Sequence, residues 1–270
     1  MHLDLIQTLS LCGDPATPND DRAGATATRA WVIDGATDLG PPGLLGDQGG
    51  AAWLAAAADA AFGASGAADL AATCGEVFAR VAARFAAERR RELLGAWELP
   101  SAAFVAAQLV DGALEVAWAA DCALLHRSAD GAVQWVTPVP NRARESADAA
   151  ALGAGVVRTP AVLADRRRAR ERAGRRVLGV DAAASAAVVS TARVAVAPGD
   201  ALLLMSDGFS ALVDAYGAYD AAALFAAVAT KGLAALAVEL RAIEREDAAC
   251  ARFPRFKTSD DATALWVRVG

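Results

Sequence analysis

The sequence predicts an α+β chain built on antiparallel sheets, from three observations. Apolar runs of strand length follow one another across Asp-Gly turns at Asp111-Gly112 and Asp130-Gly131. Stretches of helical periodicity come as two separate pairs. Strands and helices do not alternate regularly, which argues against a doubly wound parallel sheet.

Residues 3–11, LDLIQTLSL, alternate loosely and read as a strand. Residues 12–25, CGDPATPNDDRAGA, are rich in turn formers and acids and read as a loop. RAWVID, 29–34, is a short strand, followed by the loop GATDLGPPGLLGDQGG. From about 50 to 94 the chain reads as helical in two pieces parted near 61–66. In the second piece Leu70, Val77, Val81 and Phe85 share one face. Strands are expected at 102–110, 113–120, 123–128 and 132–137.

Residues 138–182 open with prolines, carry the arginine-dense run DRRRARERAGRRVLGVD, and read as an irregular insert. ARVAVA, 192–197, leads through Pro198-Gly199-Asp200 into the apolar strand ALLLMS. Helices are expected at about 219–229 and 233–248, and ATALWVRV closes the chain as a strand. The whole, 1–270, reads as a single domain with a flap-like insert at about 138–182.

The composition narrows the function classes. A net charge of −6 opposes an electrostatically driven nucleic-acid binder. The start, MHLDLIQTLS, lacks a basic leader, and no run of about 18 apolar residues suggests a membrane span. Cys12, Cys74, Cys122 and Cys250 form no CxxC pair and read as reduced, buried thiols. The expectation is a cytoplasmic protein that binds neither nucleic acid nor membrane, its oligomeric state left open.

Carboxylates gather where strands meet loops. Asp34 closes AWVID, Asp121 follows EVAWAA, and Asp207 closes LLLMS. Asp260-Asp261 precedes the final strand, and Asp20-Asp21 lies just before RAWVID. Such positions suit side chains aimed by a rigid scaffold. Converging carboxylates repel unless cations neutralise them, and an all-oxygen set favours hard ions such as Mg²⁺ or Mn²⁺. His2 and His126 have no partner at metal-ligand spacing, so a His/Cys zinc site is disfavoured. A single Asp-Gly is also an ordinary turn; the repetition at strand ends is what points to a site.

The blocks WVIDGATDLG, LEVAWAADCALLHR, VLGVDAAASAA, VAPGDALLLMSDGFSALV and SDDATALWVRV resemble, in order, the metal-dependent protein phosphatases of type 2C (PPM family), of bacterial type. That resemblance implies a four-layer α-β-β-α sandwich, two antiparallel sheets flanked by helical pairs. It implies two Mn²⁺ or Mg²⁺ ions, with a third held more weakly. Asp34 would bridge both metals and Gly35 would offer its carbonyl. Asp207 and Asp260 would hold the first metal, Asp20 or Asp21 would serve the second, and Asp121 would help the third. Asp34, Asp207 and Asp260 are then the catalytic set.

The implied activity is hydrolysis of phosphoserine or phosphothreonine in a protein substrate by a metal-bridging hydroxide, without a covalent phosphoenzyme. The chain departs from the family pattern in four places. No arginine occurs in CGDPATPN, where members hold the substrate phosphate, leaving Arg22 or Arg29 as substitutes. The Gly-Asp-Ser-Arg slot reads Ala120-Asp121-Cys122-Ala123. Ala36 and Ala211 stand where many members have a histidine and an acid. These losses leave a second reading open, a catalytically weak module that binds or senses a phosphoprotein. The seven arginines from Arg166 to Arg176 read either as a solvated helix face or as an attractor for a phosphorylated segment.

Overall fold

In the computed structural model, which describes residues 1–155 and 159–270, two antiparallel sheets form the centre of the molecule. The first sheet has the order β1 (Leu3–Leu11), β11 (Ala262–Val269), β10 (Ala201–Met205), β6 (Ala123–Arg127), β7 (Val133–Trp135). The second has the order β2 (Asp21–Ala25), β3 (Arg29–Gly35), β4 (Ser101–Val110), β5 (Ala113–Ala119), β9 (Ser190–Ala195), with β8 (Leu178–Gly179) on β4.

Side-chain alternation explains the layering. Along β3, Ala30 and Val32 face the opposing sheet, while Trp31 and Ile33 face α1 (Gly50–Ala64) and α2 (Leu70–Glu88). Along β10, Leu202 and Leu204 enter the same inter-sheet core. Its other face, Leu203 and Met205, packs on α6 (Asp207–Asp214), α7 (Ala221–Lys231) and α8 (Leu233–Glu246). The run of Leu202 to Met205 is therefore apolar because both faces are covered. Each buried leucine contributes about 2 kcal/mol. The result is the α+β sandwich that the sequence predicts.

Caps mark where several helices begin. The Asp69 carboxylate accepts from Ala72 N at the start of α2, and that of Asp220 from Ala223 N at the start of α7. The segment 138–182 is more regular than expected. It contains α3 (Ala143–Leu152), α4 (Pro160–Glu171) and, from its last residue, α5 (Ala182–Val188). Thr159 caps α4 with Pro160 in its first turn. Residues 156–158 of this insert lie outside the described residues.

Two further corrections concern the site. The loop reading of 12–25 fails at its end, because Asp21–Ala25 pair with Ala30–Asp34 as β2. Strand ALLLMS ends one residue early, at Met205, and Asp207 begins α6, a helix not expected from the sequence.

Candidate active site

Strand register brings the predicted carboxylates to one end of the sandwich. Asp34 opposes Asp21 on one side and Ala103 on the other. Ala119, two residues before Asp121, opposes Phe104. Met205, two residues before Asp207, opposes both Ala123 and Ala264. The ends of β3, β5 and β10 and the start of β11 thus meet. Asp34, Gly35, Asp121, Asp207 and Asp260 line one cavity of about 350 Å³.

The local backbone is specialised for this convergence. Ser206 precedes α6, but its hydroxyl does not cap the helix. Ser206 Oγ donates to Asp21 Oδ2 at 2.8 Å and accepts from Thr263 N at 2.9 Å. This links the first sheet to the start of the second. Asp207, in the first turn of α6, benefits from the positive end of the helix dipole. Gly208 is required by crowding, since a Cβ there would overlap the Asp261 carbonyl. Gly35 sits where a Cβ would come within 2.7 Å of the Ala51 carbonyl oxygen.

Asp261 builds the site without lining the carboxylate cavity. Its two oxygens accept from Gly13 N at 2.7 Å and Asp20 N at 2.6 Å, pinning the first loop to the start of β11. Asp20 itself faces a neighbouring groove of about 660 Å³, which shares Thr37 and Lys257 with the carboxylate cavity. Asp21 is buried beneath, and its Oδ1 has no hydrogen-bond partner among the described residues.

The electrostatics follow from burial and crowding. Burial, then Asp21, Asp207, Asp260 and Asp121 in turn, push the Asp34 carboxyl well above the usual carboxylate range. Burial, then the Asp261 charge, push Asp20 up to about 7. Burial pushes Asp21 up to about 8, against the Ser206 hydrogen bond. Asp121 reaches solvent at the cavity mouth, and the surrounding protein and the Asp207 charge shift its carboxyl upward.

Two basic side chains pair directly with carboxylates of this set. Arg142, just before α3, approaches Asp207 Oδ2 at 2.7 Å, and Lys257 Nζ donates to Asp260 Oδ1 at 2.7 Å. Burial alone would raise the Asp260 pKa, but Lys257 and then Arg142 outweigh it and lower it. In turn, burial would discharge Lys257 and Arg142, yet Asp260 and Asp207 respectively hold them charged. As the side chains stand, no three His, Cys, Asp or Glu among the described residues are gathered closely enough to hold a metal ion. The donor set nevertheless suits a hard cation: it is all-carboxylate, crowding pushes Asp34 upward, and one buried oxygen of Asp21 has no hydrogen-bond partner among the described residues.

The phosphate role expected of Arg22 and Arg29 is not supported by their positions. Arg22 Nη1 donates to the carbonyls of Asn19 and Asp21, and the residue does not line the cavity. Arg29 is buried at the opposite end of β3 from Asp34. There it bonds Gln108 Oε1 and the Phe62 carbonyl, anchoring the end of α1. The cations that do line the cavity include Arg142, Arg170, Arg175 and Lys257. Lys257 is three residues before Asp260, a spacing visible in the sequence; Arg142 lies in a stretch with no motif.

Comparison with known proteins places this geometry. Residues 143–270 match the SpoIIE family, Stage II sporulation protein E. That span carries Asp207 and Asp260 but not Asp34. No curated protein matches the chain significantly.

Solved structures match over essentially the full length. The Mycobacterium tuberculosis serine/threonine phosphatase PstP is 17% identical with a TM-score of 0.59, covering 100% of this chain and 99% of its own. The catalytic domain of PstP has also been solved in complex with two manganese ions; at 18% identity its TM-score is 0.58, again with 100% and 99% coverage. PppA of Pseudomonas aeruginosa, a regulatory component of the type VI secretion system, is 17% identical with a TM-score of 0.56, covering 100% and 99%. The PPM phosphatase MsPP of Mycobacterium smegmatis is 18% identical with a TM-score of 0.55, covering 98% and 99%. The chain therefore has the fold of the metal-dependent protein phosphatases of type 2C (PPM), with a SpoIIE-family match over its second half.

Proposed function

We propose that the chain is a metal-dependent serine/threonine protein phosphatase. The observation that carries this reading is the convergence of Asp34, Asp121, Asp207 and Asp260 on one cavity, where burial and the neighbouring carboxylates push Asp34 well above the usual range. Asp34, Asp207 and Asp260 would hold two Mn²⁺ or Mg²⁺ ions, with the Gly35 carbonyl, Asp20 and Asp21 as further donors and Asp121 at a weaker third position. Bound divalent cations offset the charge of a phosphoryl group and make hydroxide available near neutral pH.

The chain's own residues set the conditions for that chemistry. The apolar stem of β10 and the Ser206–Asp21 bond fix Asp207 against Asp34 from the opposite sheet. Asp261 holds the Asp20 loop in place. The cysteines do not favour a thiol-phosphatase reading: burial pushes Cys74 up to about 12 and raises Cys12, Cys122 and Cys250, away from the thiolate form. A phosphorylated protein segment is the substrate class this reading implies. The departures at Ala36, Ala120–Ala123 and Ala211 favour the second reading, a binding module of low activity.

Hydrolysis of p-nitrophenyl phosphate separates the two. The phosphatase reading expects turnover with Mn²⁺ that EDTA abolishes and Asp207→Asn reduces at least a hundredfold. Wild-type turnover no greater than that of the variant sinks the enzyme reading.

A further inference from the structure

The flap contributes a pair of arginines that form no ion pair among the described residues, although Asp38 and Asp20 lie near enough to favour the Arg170 charge. Six basic side chains line the carboxylate cavity, and four are committed. Arg142 pairs with Asp207, Arg166 with Glu145 at 3.5 Å, Arg255 with Asp247 at 2.7 Å, and Lys257 with Asp260. Arg170 and Arg175 differ: among the described residues, their hydrogen bonds go only to neutral oxygens. Arg170 Nη2 donates to the Ala36 and Thr37 carbonyls at 3.0 and 2.5 Å, and its Nη1 reaches the Trp97 carbonyl at 3.5 Å. Arg175 Nη2 donates to Ser101 Oγ at 3.3 Å and makes no other bond among the described residues.

Two neighbouring guanidiniums in one wall repel each other. Burial and then the Arg175 charge pull Arg170 down to about 10, and burial lowers Arg175 as well. An anion between them relieves both costs. The placement of Arg170 is firm, because α4 is docked on the loop that follows Asp34, through the Ala36, Thr37 and Leu39 carbonyls. Arg167 donates to the Leu39 carbonyl at 2.7 Å and stacks on Trp97 at 4.1 Å. The first loop offers no arginine, and Arg22 and Arg29 are engaged elsewhere.

We propose that Arg170 and Arg175 bind the phosphoryl dianion of a phosphate-monoester substrate, taking its oxygens on their free guanidinium edges beside Asp34. The planar fork of arginine matches phosphate oxygens in a way that a point charge does not. The inference rests on the phosphatase reading for its substrate class, but the anion site itself is testable without turnover.

The full chain in EDTA is titrated with inorganic phosphate by calorimetry. The wild type binds saturably, Arg175→Ala weakens binding about tenfold, and Arg170→Lys weakens it several-fold while keeping the charge. Arg176→Ala, whose guanidinium bonds Ser190 Oγ outside the cavity, binds as wild type. Arg175→Lys serves where the alanine variant melts early. With Mn²⁺ and p-nitrophenyl phosphate, Arg175→Ala raises KM far more than it lowers kcat. No phosphate binding by the wild type overturns the proposal. So does a folded Arg175→Ala and Arg170→Lys pair binding phosphate like wild type. Phosphate binding that responds as expected in a chain without turnover keeps the anion site and removes the phosphatase reading instead.

Discussion

Replacing Arg142 by methionine separates the charge balance of the site from its shape. The guanidinium lies 2.7 Å from Asp207, with the two side chains 15% and 19% exposed. Unit charges at that distance attract by about 6 kcal/mol at an effective dielectric of 20, but desolvation cancels much of it. Breaking a buried pair costs roughly 3 kcal/mol, and the residual exposure discounts this to about 2 kcal/mol. In the metal-free chain Arg142→Met should therefore lower the melting temperature by about 5 °C. A cation bound at Asp207 must displace Arg142 in the wild type but not in the variant. The same 2 kcal/mol should then appear as roughly 30-fold tighter Mn²⁺ binding. Melting curves in EDTA and calorimetric Mn²⁺ titrations read the two effects. Unchanged stability together with unchanged Mn²⁺ affinity would refute the claim that Arg142 shares Asp207 with a metal.

Three further substitutions probe the scaffold. Asp247 accepts from Ala251, Arg252 and Phe253 N–H groups and from Arg255, shaping the loop that leads to Lys257. Burial raises its pKa, but these bonds outweigh it and hold it at about 2. A depressed carboxylate stabilises the fold above its unfolded pKa, so Asp247 contributes about 2 kcal/mol near neutral pH, lost as pH falls from about 4 to 2. Asp247→Asn should lower stability at pH 7 and flatten that acid limb in urea titrations; parallel curves for both proteins would contradict it. Gly208→Ala should cost at least about 2 kcal/mol through overlap with the Asp261 carbonyl, and a variant as stable as wild type would show that this crossing yields easily. Arg29→Met should destabilise by about 2 kcal/mol through the lost Phe62 and Gln108 bonds, with KM for p-nitrophenyl phosphate unchanged; a raised KM would return Arg29 to the phosphate site.

Much of the site was legible because strand ends are easy to read. The apolar runs before Asp34 and Asp207 are buried on two faces, and an acid at the tip of such a run stands out from the pattern. β2 was hidden because DRAGA has no apolar alternation; it is a strand through its pairing with β3, with Trp31 lying over Gly24 where a Cβ would clash. The cue for α6 was present in Ser206 followed by Phe209 and Leu212, but the Asp-Gly dipeptide reads as a turn. The arginine run could be read only as a charged segment. Its sorting into Arg167 on Trp97, Arg166 on Phe256 and Arg170 beside Ala36 depends on which elements α4 meets in space. Arg142 and Lys257 belong to the same class, since pairing between distant segments decides their partners.

The most direct test of the central claim is a crystal of the full chain soaked in Mn²⁺ and measured at the manganese absorption edge. The account predicts anomalous peaks in the cavity within bonding distance of Asp34, Asp207 and Asp260, with Arg142 displaced from Asp207. Saturating Mn²⁺ that leaves this cavity without a peak, and Arg142 and Lys257 still on their carboxylates, would contradict it.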